Sequence, residues 1–258
     1  MPDPILTQQH GSILEITLNR PEAYNALNGE VMVTLHDKLA TANFDESIKG
    51  IMITGSGKAF CSGGDLKWIH QQVNDPFATL HRLAPQFHLA IAEIRRMPKP
   101  VVAAINGIAA GGGFSLALAC DFRVMAESTI LRQAYTSSGL SVDGGGSFAL
   151  PRLVGLARAM EIAAFDQPIN SSKAVEWGLV TKVVPDSDVQ KEALAMLEGL
   201  SHTSLHSFAW SKRLFLESFT NTLETQLELE RQGISDCARH PNGQEGIKAF
   251  LEKRKPVF

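Results

Sequence analysis

Two glycine-rich stretches hold the residues whose types and spacing are best suited to chemistry. In one of them, glycines 111–113 open the run GGGFSLALA, whose small apolar residues are typical of a buried helix. Glycine is used where backbone must approach another group closely. The first turn of a helix presents N–H groups without intrahelical acceptors at the positive end of its dipole. The pattern therefore suits a site that stabilises an oxyanion, although this stretch alone also fits a plain turn into a core helix.

The second stretch, GSGKAFCSGGDL at 55–66, follows the apolar run IMIT and leads into a helix predicted around 66–72. It is not a phosphate-binding P-loop, because Lys58 is followed by Ala59 and no glycine stands five places before Gly57. The glycine triplet is not a dinucleotide-binding fingerprint either, since it lacks the last glycine. Two backbone N–H groups from separate loops commonly hold one carbonyl oxygen as it becomes negative. Together the two stretches favour oxyanion chemistry.

Six blocks of sequence resemble the crotonase, or enoyl-CoA hydratase/isomerase, superfamily, and they occur in the expected order over nearly the whole chain. The blocks are LNRPEAYNALN at 18–28, GKAFCSGGDL at 57–66, KPVVAAINGIAAGGGFSLALACDFRV at 99–124, GLSVDGGGSFALPRLVG at 139–155, AVEWGLVTKVV at 174–184 and AFLEKRK at 249–255. The resemblance implies an α/β fold: a crotonase-like ββα spiral core that binds acyl-CoA over residues 1–195, and a C-terminal helical trimerisation subdomain over 196–258.

The resemblance also implies a substrate, an acyl-CoA thioester whose carbonyl oxygen accepts hydrogen bonds from the N–H groups of Gly64 and Gly112. Coenzyme A then enters as part of the substrate, no cofactor is held permanently, and the protein assembles as a homotrimer or hexamer. The positions that contact CoA in the family correspond here to Ala23, Ala26, Ser62, Gly64, Asp65, Leu66, Phe250 and Lys253. The last two lie where a neighbouring subunit often supplies the contact, although Lys253 in the run EKRK is by itself typical of a solvated charge.

Composition narrows the class of protein further. The hydrophobic share of 44% is that of an ordinary globular protein, and the net charge of −3 gives no reason to expect nucleic-acid or membrane partners. No apolar run reaches the roughly 18 residues of a membrane span, and the first residues enter a strand pattern without a signal peptide. The three cysteines and eight histidines show no metal-ligand spacing. We therefore expect a cytoplasmic protein without a metal site.

Strand and helix patterns alternate as far as Pro185, which is typical of an α/β core. Alternating or short β-branched apolar runs predict the strands, which lie at 12–18, 51–54, 101–105, 122–126 and 179–184. Helical spacing and capping residues predict the helices, which lie at 25–42, 77–96 and 171–178. Beyond Pro185 no strand-like run occurs, and the pattern predicts three or four helices, including 205–219 and 222–238.

Hydratases of the family use two glutamates to position and activate one water. The corresponding positions here are Ser115 and Tyr135, and neither side chain has a carboxylate. A serine or a tyrosine near pH 7 is not a ready base without activation. Ordinary hydration is therefore disfavoured, and a hydratase with non-standard acid and base residues is kept as an alternative.

A carboxylate does stand eight positions after Tyr135, at Asp143. Asp-Gly is a turn pair and aspartate caps helices, so spacing alone favours a structural role. The pattern GL-x-x-D-x-GG-x-x-x-LPR nevertheless resembles the ring isomerases of the phenylacetate pathway, in which this aspartate is catalytic. We therefore expect an isomerase that shifts a C=C bond of an enoyl-CoA or ring-derived CoA thioester. In it Asp143 is the base, while Gly64 and Gly112 stabilise the enolate.

A rival use of Asp143 is nucleophilic. In the 4-chlorobenzoyl-CoA dehalogenases, which the chain also resembles, this aspartate attacks the ring, a histidine activates water and a tryptophan assists. His88 and Tyr135 fall at the positions of that histidine and tryptophan, whereas Gly64 replaces a bulky aromatic residue. A histidine on a helix is more often packed or solvated than catalytic. An aryl-CoA dehalogenase or CoA-thioester hydrolase is thus the second candidate, and a non-catalytic CoA- or RNA-binding relative the third.

Overall fold

The strands form two sheets. The computed structural model describes residues 3–72 and 75–258. The strands in them are β1 (Ile5–His10), β2 (Ile13–Leu18), β3 (Gly50–Gly55), β4 (Ala59–Cys61), β5 (Val101–Ile105), β6 (Ile108–Ala110), β7 (Phe122–Ala126), β8 (Ile130–Arg132), β9 (Ile169–Asn170) and β10 (Lys182–Val184). The large sheet has the order β1-β2-β3-β5-β7-β10, and the small sheet has the order β4-β6-β8-β9. Apart from the antiparallel pairs β1–β2 and β8–β9, neighbouring strands run parallel.

Helices connect the strands and follow the last of them. They are α1 (Gly29–Phe44), α2 (Leu66–Gln72), α3 (Pro76–Arg96), α4 (Gly112–Ala119), α5 (Gly146–Val154), α6 (Leu156–Phe165), α7 (Ser171–Glu176), α8 (Val189–Ser201), α9 (Leu205–Glu217), α10 (Leu223–Arg239) and α11 (Pro241–Leu251). The longest, α3, begins after the cap residue Asp75, whose side chain accepts a hydrogen bond from the Phe77 N–H. Within the described ranges, none of these helices combines the length and hydropathy that crossing a bilayer requires.

The large sheet is buried on both faces. Ile51 and Ile53 of β3 belong to the core cluster that includes α1 and α3, whereas Met52 between them belongs to a second cluster with α8. Side chains alternate across a strand, so a parallel sheet covered on both faces requires a continuous apolar run. This requirement explains the run IMIT and confirms the strand predicted at 51–54.

The small sheet brings the two glycine-rich stretches together. β4 follows β3 through a short loop, and β6 follows β5 in the same way. β4 and β6 pair in parallel, with Ala59 opposite Ile108 and Cys61 opposite Ala109. Because parallel strands end at the same edge, the residues after Cys61 meet the start of α4.

The four C-terminal helices divide into two groups. α8 packs against β3, β5 and β7 through Val189, Ala193 and Leu197. The predicted limit between residues 195 and 196 falls inside this helix, and the division of the chain into two units stays a prediction. α10 packs on α9 and α11, and these three helices expose many large apolar side chains: Phe215, Leu223, Leu227, Ile234, Ile247, Phe250 and Leu251.

One buried ion pair joins α9 to the core. The Lys212 ammonium donates to the Asp121 carboxylate at 2.8 Å and to the carbonyl of Ile94 at 2.8 Å. Burial lowers the pKa of Lys212, and the neighbouring Asp121 opposes that shift. Removing one partner of a buried pair typically costs about 3–5 kcal/mol, so this contact fixes the position of α9.

The expected α/β architecture is confirmed, with a helical C-terminal region. The strands predicted at 101–105 and 122–126 match β5 and β7. The strand predicted at 179–184 is shorter, because Leu179 and Val180 belong to the loop that donates to the Ala174 carbonyl. The sequence patterns gave no separate strand for β1, whose run of polar residues at 7–10 does not alternate. They also missed the two- and three-residue strands of the small sheet, which are too short for alternation to show.

Candidate active site

A cavity of about 300 Å³ lies where the two glycine-rich stretches meet. Among the site residues predicted from the sequence, Ser62, Leu66, Gly64, Gly112, Tyr135 and Asp143 all line it. Apolar side chains of α1, α2 and α3 form much of the remaining wall, which lowers the local polarity. Low local polarity strengthens the hydrogen bonds and charge interactions made there.

Close backbone contact between the two stretches shapes the cavity. A Cβ on Gly113 would lie 2.1 Å from the Cys61 carbonyl oxygen, and one on Gly63 would lie 2.9 Å from the Ala110 carbonyl oxygen. Gly63 also has a φ of +100°, which side chains rarely adopt. Glycine is therefore required at both positions for the loops to touch.

Gly64 and Gly112 line the cavity, and neither of their N–H groups has an acceptor among residues 3–72 and 75–258. Gly112 is the first residue of α4, and the first N–H of that helix to reach an intrahelical acceptor is that of Ser115, which donates to the Gly111 carbonyl at 3.0 Å. Gly64 forms a parallel bridge with Leu27, in which the Leu27 and Asp65 N–H groups are used and that of Gly64 is not. Both donors are free to bind an oxyanion.

The segment 20–28 lies beside the second glycine-rich stretch and connects several of the predicted CoA contacts. The Ser62 N–H donates to the Tyr24 carbonyl at 3.0 Å, and the Leu27 N–H donates to the Gly63 carbonyl at 2.7 Å. Arg20 forms an ion pair with Asp65 at 2.9 Å. Ala23 and Ala26 therefore belong to a segment that contacts the second glycine-rich stretch. Ser62, Asp65 and Leu66 lie in that stretch.

The other two predicted CoA contacts lie elsewhere. Phe250 is on α11 and is 82% exposed, and Lys253 follows that helix with a φ of 54°. Neither residue lines the cavity. Within a single chain, the structure does not bring them to the other predicted site residues.

Asp143 lines the cavity and contacts His88, which is not among the lining residues. His88 Nε2 lies 2.6 Å from Asp143 Oδ1, and the two side chains are 51% and 42% exposed. The Asp143 side chain does not cap the following helix, because the cap residue of α5 is Gly145 and no side chain bonds to that helix start. The carboxylate therefore has one oxygen in contact with the imidazole and a second oxygen available to another partner.

Ser115 and Tyr135 hold the backbone of Asp143. The Ser115 hydroxyl donates to the Asp143 carbonyl at 2.6 Å. The Tyr135 hydroxyl lies 3.2 Å from the same carbonyl oxygen and 3.1 Å from Ser115 Oγ, so its proton can be donated to either. Burial raises the pKa of Tyr135, which keeps this donor protonated. The two positions that carry glutamates in hydratases of the family are here a pair of donors to the loop that holds Asp143.

Sequence analysis missed Phe87, which lines the cavity and packs on the same loop. A Cβ on Gly144 would lie 2.2 Å from Phe87 Cε1. The helical spacing of Leu83, Phe87 and Ile91 is the signal that could have shown that Phe87 lies on the inner face of α3.

Neither thiol nucleophilic catalysis nor metal-ion catalysis is supported at this site. Cys61 is fully buried, and burial raises the pKa of its thiol to about 12, so it is protonated near neutral pH. Across residues 3–72 and 75–258, no cluster of His, Cys, Asp and Glu side chains is suited to hold a metal ion.

The sequence profile of the enoyl-CoA hydratase/isomerase family matches residues 8–258. The chain belongs to this family. The 1,2-epoxyphenylacetyl-CoA isomerase of Escherichia coli (strain K12) is 34% identical to it, over 98% of this chain and 97% of that protein. The 4-chlorobenzoyl coenzyme A dehalogenase-1 of Arthrobacter sp is 31% identical, over 96% of this chain and 91% of that protein. A crystal structure of an enoyl-CoA hydratase from Polaromonas sp. JS666 has a TM-score of 0.93 and 39% identity, with 98% of each chain covered.

These relatives are named for three different reactions. Members of the family act on CoA thioesters, and the similarity therefore assigns this chain to the acyl-CoA enzymes. It does not distinguish between isomerase, hydratase and dehalogenase, so the reaction has to be argued from the residues in the cavity.

We predict that Ser115→Ala and Tyr135→Phe are more damaging together than the product of their separate effects. Each single variant leaves one donor on the Asp143 carbonyl and lowers kcat about two- to fivefold. The double variant leaves that carbonyl unpaired and lowers kcat about 100-fold. KM changes little, because the donors at Gly64 and Gly112 are untouched. Steady-state kinetics with the CoA thioester that is turned over fastest gives kcat and KM for the two single variants and the double variant.

A matched control is Ser171→Ala, whose hydroxyl also donates to a backbone carbonyl, that of Glu127 at 2.8 Å, away from the cavity. It should leave kcat unchanged. Multiplicative effects of the two site variants, with no excess loss in the double variant, would show that the two hydroxyls do not act together on Asp143.

Proposed function

We propose that the protein is an enoyl-CoA isomerase that moves a C=C bond of an acyl-CoA thioester. Asp143 removes a proton from C2 of a 3-enoyl thioester, and the electron pair moves to form a dienolate. The N–H groups of Gly64 and Gly112 stabilise the negative oxygen of this dienolate. The protonated Asp143 then returns the proton to C4, which gives the 2-enoyl thioester.

One observation carries the proposal. Among the residues that line the cavity in the described parts of the chain, Asp143 has the single carboxylate, and it shares that cavity with the two free N–H donors of Gly64 and Gly112. One base and one oxyanion site are enough for a proton shift. Hydration normally needs a second acid or base to activate water, and Ser115 and Tyr135 donate their hydrogen bonds to backbone instead.

The contact between His88 and Asp143 favours a second candidate. In an aryl-CoA dehalogenase or a thioester hydrolase, Asp143 would act as nucleophile and His88 would activate the water that releases the covalent intermediate. The distance of 2.6 Å supports such a pair. Against it, Gly64 leaves the cavity without the aromatic residue expected there from the resemblance.

The exposed apolar side chains of α9 to α11 support self-association. Their surface includes Phe250 and Leu251, which are 82% and 74% exposed in the single chain. Burial of such a surface against a second copy is favourable. We infer a homotrimer, or a hexamer of two trimers, in which Phe250 and Lys253 of one subunit contact the CoA bound by its neighbour.

The isomerase proposal predicts that Asp143→Asn lowers kcat about 10²–10⁴-fold, because the amide cannot accept the proton. The free energy of unfolding should change by less than about 0.5 kcal/mol, since this half-exposed side chain caps no helix. A suitable panel is a 3-enoyl-CoA, crotonyl-CoA, an oxepin-type CoA thioester and 4-chlorobenzoyl-CoA. Asp37→Asn, on the exposed side of α1, is the matched control. Full activity of Asp143→Asn on every substrate would refute the assigned base.

His88→Gln separates the two candidates. An isomerase should retain most of its turnover, because proton transfer by Asp143 needs no activated water. A dehalogenase should instead accumulate an aryl ester on Asp143, and a hydrolase an acyl anhydride, each visible as an added mass by mass spectrometry. Turnover of 4-chlorobenzoyl-CoA by the native protein, together with such an adduct in His88→Gln, would establish the second candidate.

The proposed assembly predicts that the protein elutes as a trimer or hexamer at micromolar concentration in size-exclusion chromatography with light scattering. Phe250→Asp places a charge in the apolar surface and should shift the population toward monomer. A stable monomer of the native protein at that concentration would contradict the assembly, whatever the reaction proves to be.

A further inference from the structure

A second and larger cavity lies behind the catalytic one. Its volume is about 950 Å³, compared with about 300 Å³ for the cavity that contains Asp143. It extends between α3, α5 and α9, and Ile91, Gly145 and Phe148 are among its lining residues. The sequence assigns no role to this space, and the catalytic steps proposed above do not use it.

The two cavities are separated by a thin wall made of two side chains and two glycines. Phe87 and Ile91 stand one turn apart on the same face of α3. Phe87 packs on Gly144, as noted above, and a Cβ on Gly145 would lie 3.2 Å from Ile91 Cγ2. Phe87 and Asp143 line the catalytic cavity, whereas Ile91 and Gly145 line the larger one.

Phe87 is the larger of the two side chains in this wall, and its ring borders the catalytic cavity. It is 2% exposed, and its ring also lies 3.6 Å from the position that a Cβ on Gly112 would take. It therefore stands between the oxyanion donor and the loop of Asp143. An acyl chain whose thioester oxygen is held at Gly64 and Gly112 meets this ring as it extends inward.

The lining of both cavities limits the acyl groups that fit. The described lining residues of the catalytic cavity include no lysine, arginine or histidine, and the imidazole next to it, that of His88, already contacts Asp143. Beyond the wall, Ile91, Met97, Ala149 and Leu216 provide an apolar surface for an alkyl chain, although charged side chains also line this cavity, namely Arg95, Arg96, Lys212, Arg213 and Glu217. The space for a long chain lies beyond the wall, and Phe87 is the large side chain of the wall that borders the catalytic cavity.

We propose that Phe87 sets the acyl-length specificity by separating the catalytic cavity from the larger one behind it. The native protein accepts short or cyclic uncharged acyl groups, and removal of the Phe87 ring joins the cavities and admits long alkyl chains. This inference rests on the proposed use of acyl-CoA in the cavity and is independent of which reaction Asp143 performs.

The test compares hexanoyl-CoA with dodecanoyl-CoA in the native protein and in Phe87→Ala. Both ligands are saturated and cannot isomerise, so calorimetric dissociation constants report the cavity alone. The native protein should bind hexanoyl-CoA more tightly, and Phe87→Ala should move the ratio toward dodecanoyl-CoA by at least about tenfold. Phe87→Leu removes less of the ring, is less disruptive to folding, and should shift the ratio in the same direction by a smaller factor.

Leu39→Ala is the control for general loosening of the core, because Leu39 is fully buried on α1 and lines neither cavity. It should leave the ratio unchanged. If the native protein binds dodecanoyl-CoA as tightly as hexanoyl-CoA, or if Leu39→Ala shifts the ratio as much as Phe87→Ala, Phe87 is not the limit on acyl length. Failure of isomerase turnover with the binding pattern intact would instead overturn only the proposed reaction.

Discussion

The whole site depends on the contact between two stretches of backbone that have no side chains between them. Gly113 lies against the Cys61 carbonyl and Gly63 against the Ala110 carbonyl, and any Cβ at these positions would force the stretches apart. The pairing of β4 with β6 and the start of α4 supply the frame, and the glycines allow it to close. The N–H groups of Gly64 and Gly112 are held in place by this frame. Fixed donors need no reorganisation as charge develops on an oxygen, which is the main advantage of such a site.

The same frame serves different reactions in the family, and the polar residues around it decide which one occurs. In this chain the hydroxyl groups of Ser115 and Tyr135 donate hydrogen bonds to the carbonyl of Asp143. These hydrogen bonds fix the backbone of Asp143, and His88 contacts its carboxylate. The absence of a carboxylate at positions 115 and 135 and its presence at Asp143 support our proposal that the cavity carries out proton transfer and not hydration.

Much of the fold was predictable, because its signals are local. Glycine before the apolar run of α4 and the continuous apolar run of β3 identify their elements directly. The family and its CoA thioester chemistry followed from ordered blocks of sequence. The three-residue strands of the small sheet were not predictable, since their register depends on pairing partners far away in the chain and not on alternation.

The candidate site was predictable to a smaller extent. Asp143, Gly64 and Gly112 could be named from spacing and resemblance, yet the contact of Asp143 with His88 spans 55 positions and depends on how α3 packs against α1 and α4. The position of Phe87 also depends on tertiary packing, because the sequence of an apolar helix face does not indicate which cavity it borders. The Asp143 carbonyl accepts hydrogen bonds from Tyr135 and from Ser115, which lies on a different element, α4. Such contacts are properties of tertiary structure.

The most direct measurement of single-base isomerisation follows the proton itself. A 3-enoyl-CoA carrying deuterium at C2 is converted in ordinary water, and the product is analysed for deuterium at C4 by NMR. If Asp143 alone removes and returns the proton, part of the label reaches C4 in the native protein, and Asp143→Asn forms almost no product. Complete absence of label at C4, together with formation of a 3-hydroxyacyl-CoA or a free acid, would show that the cavity activates water and would contradict isomerisation by one base.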